Sequence, residues 1–181
     1  SCMASVAAKA AEAGIVCCFH PNSAKNSLFR TEEDYEAMFE LIQPTAIGWA
    51  PDVGHIENGG MSAIEQMKAH RDLIRHVHFK DRIAQNEWAV MGEGKIDYPA
   101  IIKYLAETGY LGWIMVEDES PRAETDSDGG VAGRFTGKQS DRSRLCWKKR
   151  YFSKDTKKVF LRRKRDYEYA YSCGNGSRSP W

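Results

Sequence analysis

Four short strand-like runs, each containing or closely followed by a histidine or a carboxylate residue, alternate with helix-like segments along the first two thirds of the chain. The runs cover residues 15–19, 46–49, 75–80 and 113–116. The first run contains no polar residue in alternation, which is typical of a parallel strand covered on both faces. Strands that alternate with helices predict parallel strands joined by right-handed crossovers. The pattern therefore predicts an α/β fold.

Helix signals lie between these runs. Residues 1–13 are rich in alanine and end at Gly14, a residue typical of the position after a helix C-terminus. Thr31 and Ser62 are predicted helix N-caps, each with an acidic residue three positions later as in a capping box. A further helix is predicted over about 99–107. The apolar residues predicted to face the core are Tyr35, Met38, Phe39, Ile42, Ile64, Met67, Leu73, Ile101, Ile102 and Leu105.

An open doubly wound sheet and a closed barrel both fit this order of elements. The positions of the polar residues favour the barrel, because a His, Asp or Glu stands near the C-terminal end of each of the four strands. In a (β/α)₈ barrel the active site lies at that rim. Four strand–helix units predict a partial barrel over residues 1–125.

Residues 126–181 differ in composition from this acidic part. They contain 15 Lys and Arg against 6 Asp and Glu, a net charge of +9, whereas residues 1–125 contain 11 and 19, a net charge of −8. The basic segment has no sustained apolar period, and we expect a poorly structured tail. Its aromatic residues among basic ones leave a nucleic-acid-binding module open as a non-enzymatic alternative, although no nucleic-acid-binding motif accompanies them.

The cysteine pattern and the hydropathy exclude several classes of protein. The five cysteines are odd in number and lack C-x-x-C spacing, which argues against a disulfide framework and a structural zinc site. No run approaches about 18 apolar residues, and the N-terminus lacks the order of a secretory signal. We therefore expect no membrane partner and a cytoplasmic location.

Candidate chemical groups follow the strands. Asp52 and His55 come after the second strand, where Gly54 is expected to permit a tight turn. In the third strand, alternation sends His78 and Lys80 to one face. Glu117 follows the fourth strand. Each of these residues also has a structural interpretation, since a single histidine near a strand end is more often a hydrogen-bonded packing residue.

Asp, His and Glu from three successive strand ends are, taken together, a set of hard to borderline ligands. Such ligands suit Mn²⁺, Mg²⁺, Co²⁺ or Zn²⁺. A divalent ion of this kind polarises a carbonyl or holds two neighbouring hydroxyls, while a flanking base moves a proton at the adjacent carbon. The ligand set therefore predicts a metal-dependent enzyme that moves a proton beside a carbonyl or a hydroxyl.

Five segments carry a resemblance to a known family. In order they are FHPNSAKNSLFRT, PDVGHIENGG, HVHFKD, MGEGKIDYPAII and GYLGWIMVEDES. This series resembles the xylose-isomerase-like sugar phosphate isomerase/epimerase superfamily over about residues 14–125. The resemblance implies the C-terminal half of a TIM barrel, strands five to eight, and one divalent ion. It implies Asp52, His78 and Glu117 as metal ligands and His55 as a contact to a substrate hydroxyl.

The first strand departs from many epimerases of this superfamily. They carry a metal-binding glutamate there, whereas this chain has Cys17, Cys18, Phe19 and His20, as in dehydratase-like members with a histidine-proline motif. We expect His20 and Glu117 as catalytic residues, and His55 and Lys80 as substrate-binding residues. The expected activity is isomerisation or epimerisation, with an inosose dehydratase-like lyase as the alternative. Nothing in the chain resembles strands one to four, and an inactive fragment and a homo-oligomer both stay open.

Overall fold

The computed structural model describes residues 1–125, 158–163 and 168–172. The chain divides into two compact units, Ser1–Val77 and His78–Trp181. Among the described residues, no helix combines the length and the apolar character that crossing a membrane requires.

The first unit begins with two strand–helix repeats. Strands β1 and β2 pair in parallel, with Cys18 opposite Gly48 and Phe19 opposite Trp49. A parallel bridge from Trp49 to Ile74 extends this pairing. The elements of the unit are α1 (Cys2–Glu12), β1 (Cys18–Phe19), α2 (Glu32–Ile42), β2 (Gly48–Trp49), α3 (Val53–Asn58), α4 (Ala63–Ala69) and a 3₁₀ turn (Arg71–Leu73).

Helix α2 follows the predicted pattern closely. Thr31 Oγ1 accepts a hydrogen bond from Asp34 N, and Asp34 Oδ2 accepts one from Thr31 N, so the capping box is complete. The predicted apolar stripe is buried, and it packs towards Trp49, which is fully enclosed. Tyr35 and Phe39 both meet the Trp49 ring edge-on. This aromatic cluster anchors the helix beside β2.

Three expectations for the first unit are wrong. The first strand is shorter than predicted and not covered on both faces: Ile15 is 60% and Val16 63% exposed. Residues 53–58 form α3 instead of a tight turn, because Asp52 caps a new helix, and Gly54 lies inside it without a positive φ. Ser62 makes no side-chain capping bond to α4, where Glu57 Oε1 accepts the hydrogen bond from Ala63 N.

The second unit contains a four-stranded sheet in the order β3–β6–β7–β8. Strand β7 pairs parallel to β6 and antiparallel to β8. Strand β3 begins at the boundary between the units. The elements are β3 (Val77–Phe79), β4 (Asp81–Ala84), β5 (Glu87–Ala89), α5 (Tyr98–Glu107), β6 (Ile114–Asp118), α6 (Pro121–Thr125), β7 (Lys158–Arg163) and β8 (Glu168–Ser172).

Helix α5 packs by the residues that its period predicts, since Ile101 and Leu105 are buried while Ile102 is only partly so. The long connection before it is more ordered than the sequence suggests. Strands β4 and β5 form an antiparallel hairpin, with Asn86 at a φ of 60° in the turn. Asp81 then holds the following loop, because its carboxylate accepts hydrogen bonds from the backbone N–H groups of Gly92 and Gly94.

The two strands described within residues 126–181, β7 and β8, were not predicted from the sequence. Strand β8 includes Tyr169 and Tyr171, whose alternation is the pattern of a strand. The other residues of the basic segment, including Cys146 and Cys173, lie outside the described residues, so the expectation of a poorly structured tail stays a prediction. Cys2, Cys17 and Cys18 are free thiols.

Candidate functional site

The first unit gathers three of the predicted site residues at the ends of β1 and β2. Asp52 is fully buried, and its Oδ1 accepts a hydrogen bond from His55 N as the N-cap of α3. Its other oxygen, Oδ2, lies 3.6 Å from His20 Nε2 and 3.9 Å from His55 Nε2. The cap fixes the carboxylate, because turning the side chain would break the bond to the helix N-terminus. One carboxylate oxygen is thereby directed at two imidazole rings.

The ring of His55 is held by a second set of contacts. Ser23 Oγ lies 2.8 Å from His55 Nδ1, and Asn58 Nδ2 donates to the same Oγ over 2.8 Å. Both Ser23 and Asn58 are buried. Neither residue was among the predicted site residues. Asn58 lies one helical turn after His55, but no sequence pattern indicates Ser23, which meets His55 across 32 residues of chain.

The second unit gathers the other three predicted residues around one carboxylate. Glu117 Oε1 lies 2.9 Å from His78 Nδ1, and Glu117 Oε2 lies 3.0 Å from Lys80 Nζ. His78 and Lys80 therefore share a face of the chain around β3, as the alternation predicts. Because β3 and β6 are neighbours in the sheet, Glu117 on β6 is placed opposite them.

Lys80 is the most enclosed charge in this group, with only 2% of its surface exposed. Its ammonium group also lies 3.3 Å from Glu119 Oε1, so two carboxylates compensate it. Trp88, on the β4–β5 hairpin, places its ring 5.3 Å from the same nitrogen, a cation–π distance. The Tyr98 hydroxyl donates to the Lys80 carbonyl and fixes the backbone at this point.

The donor set fits a hard or borderline divalent cation. It consists of carboxylate oxygens and imidazole nitrogens, and no cysteine thiol takes part in either group. His78 Nδ1 and Glu117 Oε1 lie 2.9 Å apart, a separation at which both atoms could bind one cation. His20 Nε2 and Asp52 Oδ2 lie 3.6 Å apart, which is longer than the usual length of a hydrogen bond.

Comparison with known proteins places the chain in a family. The sequence profile of the Xylose isomerase-like TIM barrel family matches residues 1–134. The chain belongs to this family. Its partial-barrel architecture agrees with the fold class that the sequence predicts, and the five quoted segments lie inside the matched range.

Relatives of this chain include sugar-modifying enzymes. An inosose dehydratase of Geobacillus kaustophilus is 29% identical, with 54% of this chain and 37% of the relative covered. An inosose dehydratase of Clostridium tetani is 27% identical, with 54% and 39% covered. This chain thus spans less than half the length of these curated relatives.

Solved structures show the same fold. A 3-keto-D-glucoside 4-epimerase from E. coli has a TM-score of 0.53 at 20% identity, with 65% of this chain and 44% of that chain covered. The probable 3-DHS dehydratase AsbF of Bacillus anthracis has a TM-score of 0.57 at 15% identity, with 68% and 50% covered. At these identities the likeness concerns the fold alone.

Proposed function

We propose that this chain carries the metal-binding rim of an enzyme that removes a proton from the carbon beside a carbonyl or hydroxyl of a sugar or polyol. The observation that carries the proposal is the Glu117 carboxylate joined to both His78 and Lys80, in a chain of the Xylose isomerase-like TIM barrel family. Its relatives bear the names of dehydratases and epimerases, which share this proton-removal step.

Asp52, His78 and Glu117 are the proposed ligands of one divalent ion, as their match to the family motifs suggests. When bound, the ion supplies Lewis-acid polarisation of a substrate oxygen. Asp52 suits a ligand role because burial and the cap to His55 N hold it still. His78 Nδ1 and Glu117 Oε1 lie 2.9 Å apart, so these two atoms would be close enough to hold the same ion.

Glu117 is also the proposed base. A carboxylate takes the proton from carbon and can return it to a neighbouring carbon on the same face, which gives isomerisation; epimerisation needs a second group that delivers a proton to the opposite face, a role for which His20 is the candidate. Lys80, 3.0 Å from Glu117 Oε2, compensates the negative charge of this carboxylate and is proposed to donate to substrate oxygens that gain negative charge. The enclosed position of Lys80 strengthens both interactions, because a buried charge is poorly screened by water.

His20 and His55 are proposed to serve the substrate from the first unit. His20 stands near the Asp52 carboxylate at the end of β1, where it can give or take a proton on the second carbon of the reaction. His55, held beside Asp52, contacts a substrate hydroxyl. These assignments follow the family resemblance residue by residue and extend it only at His20.

An inosose dehydratase-like lyase is the second candidate. It is favoured by the names of the relatives and by His20, which stands where many epimerases carry a second carboxylate. In this reaction Glu117 removes the proton beside the carbonyl, and a protonated group helps the hydroxyl on the next carbon to leave as water. A histidine is suited to that acid role near neutral pH.

Metal binding tests the first half of the proposal. Calorimetric titration of the 181-residue chain with Mn²⁺ and Co²⁺ is expected to give one site, weakened at least about tenfold in Asp52→Asn and in His78→Ala. Cys17→Ala is the control, because this thiol belongs to neither group of site residues, and its affinity should equal that of the wild type. Equal affinity in all four proteins would reject the metal site.

Solvent exchange tests the chemistry. The chain is incubated with a keto-inositol or a ketohexose in D₂O, and NMR detects proton removal. This measurement works whether the reaction is an epimerisation, an isomerisation or a dehydration. We expect deuterium to enter the carbon beside the carbonyl with Mn²⁺ present, and the rate to fall at least about 10²-fold in Glu117→Gln. Exchange that continues unchanged after prolonged chelation would contradict the mechanism.

A further inference from the structure

The His55 ring in the first unit is placed so that its tautomer is determined by its neighbours. A neutral imidazole carries one proton, so one nitrogen donates and the other accepts. The hydrogen-bond partner of one ring nitrogen determines which of the two nitrogens carries the proton. In this chain the partner of Nδ1 is Ser23, a buried residue to which no role has been given so far.

Two potential donors of Ser23, its backbone N–H and its hydroxyl, lie near His55 Nδ1. The backbone N–H of Ser23 donates to Nδ1 over 3.3 Å, and the Ser23 hydroxyl lies 2.8 Å from the same nitrogen. Asn58 Nδ2 already donates to the Ser23 oxygen over 2.8 Å. Because Asn58 takes one of the two lone pairs of this oxygen, the Ser23 hydroxyl is a weaker acceptor towards His55 and favours donating to it. A nitrogen that receives these donors must present its lone pair.

The surroundings of Nε2 are mixed. Asp52 Oδ2 lies 3.9 Å from Nε2 and attracts a proton on that atom. Asn22 Nδ2 lies 3.3 Å away and opposes it, since Asn22 Oδ1 accepts from Ala24 N and so turns the amide nitrogen towards His55. The backbone N–H of Ser23 cannot rotate, whereas the exposed Asn22 side chain can. The fixed N–H and the Ser23 hydroxyl at Nδ1 together outweigh the single adjustable donor at Nε2 and favour the Nε2–H tautomer.

We propose that Ser23 is a positioning residue that holds His55 in the Nε2–H tautomer, and that Asn58 enforces this by occupying the Ser23 oxygen. The inference deepens the proposed function, on which its catalytic meaning rests. It makes His55 a hydrogen-bond donor to substrate, and not a base. A neutral N–H donor recognises a substrate oxygen with a lone pair, and it stabilises negative charge that develops there when a neighbouring carbon loses its proton.

The tautomer can be measured without turnover. In the full chain labelled with ¹⁵N-histidine and treated with chelator, two-bond ¹H–¹⁵N correlation spectra at about pH 8.5 report which ring nitrogen is protonated, since a histidine of ordinary pKa, about 6.5, is then neutral. His55→Gln assigns the resonances. We expect protonated Nε2 and unprotonated Nδ1 in the wild type. A wild-type ring protonated at Nδ1 would overturn the proposal.

Two variants test the causes. Ser23→Ala removes the hydroxyl, and the ratio of the two tautomers should shift at least about fivefold towards Nδ1–H, the factor that one net hydrogen bond supplies. Ser23→Thr keeps the hydroxyl and should restore the wild-type ratio. Asn58→Asp offers an acceptor to the Ser23 hydroxyl, which turns its hydrogen away from His55 and should also favour Nδ1–H.

Ser62→Ala is the control, because Ser62 makes no capping bond and its change should leave the His55 spectrum as it is. An unchanged ratio in both Ser23→Ala and Asn58→Asp would overturn the roles of Ser23 and Asn58. If Ser23→Ala does not fold, the wild-type, Ser23→Thr and Asn58→Asp spectra still decide. The proposed function fails separately, through metal binding and solvent exchange, so the two failures are distinguishable.

Discussion

At the scale of single residues, Lys80 carries a buried charge that its carboxylate partners compensate. It is 2% exposed, and its nitrogen lies 3.0 Å from Glu117 and 3.3 Å from Glu119. A buried ion pair contributes little net stability, but removing one partner leaves the other as an uncompensated charge. Glu117, whose side chain is 12% exposed, has limited access to water once the cation is gone.

We therefore expect Lys80→Met to lower the free energy of unfolding by about 3–5 kcal/mol. The double variant Lys80→Met with Glu117→Gln should recover at least about 1 kcal/mol of this loss, because the charge left behind has been removed as well. Urea denaturation measures both. Lys68→Met is the control: Lys68 pairs with Glu65 at 2.8 Å on the surface, and its loss should be within about 1 kcal/mol.

His70 predicts how stability depends on pH. Its ring stacks on Phe39 with 3.5 Å between centroids and meets Trp49 edge-on. Burial lowers the pKa of His70, and the nearby Asp72 carboxylate opposes that shift. The unfolded chain therefore takes up a proton before the folded chain does. The free energy of unfolding should be highest above about pH 6.5 and fall as the pH decreases towards the lowered pKa.

The variant His70→Phe keeps an aromatic ring in the stack without a titrating group. Between about pH 6.5 and 5, its free energy of unfolding should fall less steeply than that of the wild type. Asp72→Asn should steepen the fall, since it removes the carboxylate that opposes the shift. Urea unfolding at several pH values provides the measurement. Parallel curves for wild type and His70→Phe would show that His70 does not contribute.

At the scale of elements, the sequence predicts best where the determinants are local. The capping box and the stripe of α2 depend on residues within three or four positions of each other, and both are present. Helix α3 differs from the predicted turn, because Asp52 also acts as an N-cap and starts a helix of only six residues. The β4–β5 hairpin was missed since its turn, at Asn86, lacks the Asn-Gly or Asp-Gly signal.

The same distinction applies to the candidate site. His78 and Lys80 both contact the Glu117 carboxylate. The two-residue period of a strand is enough to predict that they share a face. The contacts of His55 depend on Ser23 and Asn58, which lie 32 residues before it and three after it. The first of these is a tertiary contact between a loop and a helix. No periodic pattern in the sequence records it.

The two predicted N-caps, Thr31 and Ser62, give an internal comparison. Thr31 Oγ1 accepts from Asp34 N, whereas Ser62 makes no capping bond. Thr31→Ala should lower the free energy of unfolding by about 1 kcal/mol, the usual cost of a lost N-cap. Ser62→Ala should change it by less than about 0.5 kcal/mol. Chemical denaturation of both variants decides, and equal losses would mean that the two caps do not differ in solution.

At the scale of the whole molecule, the length of the family match bears on the activity that we expect of this chain. The profile match covers residues 1–134, and the chain spans 37% of one inosose dehydratase relative and 39% of another. In a (β/α)₈ barrel the rim is formed by the loops after all eight strands. The matches leave more than half the length of each of these relatives without a counterpart in this chain.

The rate of solvent exchange by this chain should therefore be lower than that of a full-length relative. A misplacement of about 1 Å in a reacting group can cost about 10²-fold in rate, so we expect the isolated chain to exchange substrate protons at least about 10²-fold more slowly than the inosose dehydratase of Geobacillus kaustophilus with the same Mn²⁺ and keto-inositol. The comparison is made over a range of protein concentrations. Equal rates at every concentration would contradict the expectation.

A rate per chain that rises with concentration towards that of the relative would instead indicate that two copies complete one rim, through pairing of exposed strand edges. Sedimentation at the same concentrations would then have to show a dimer.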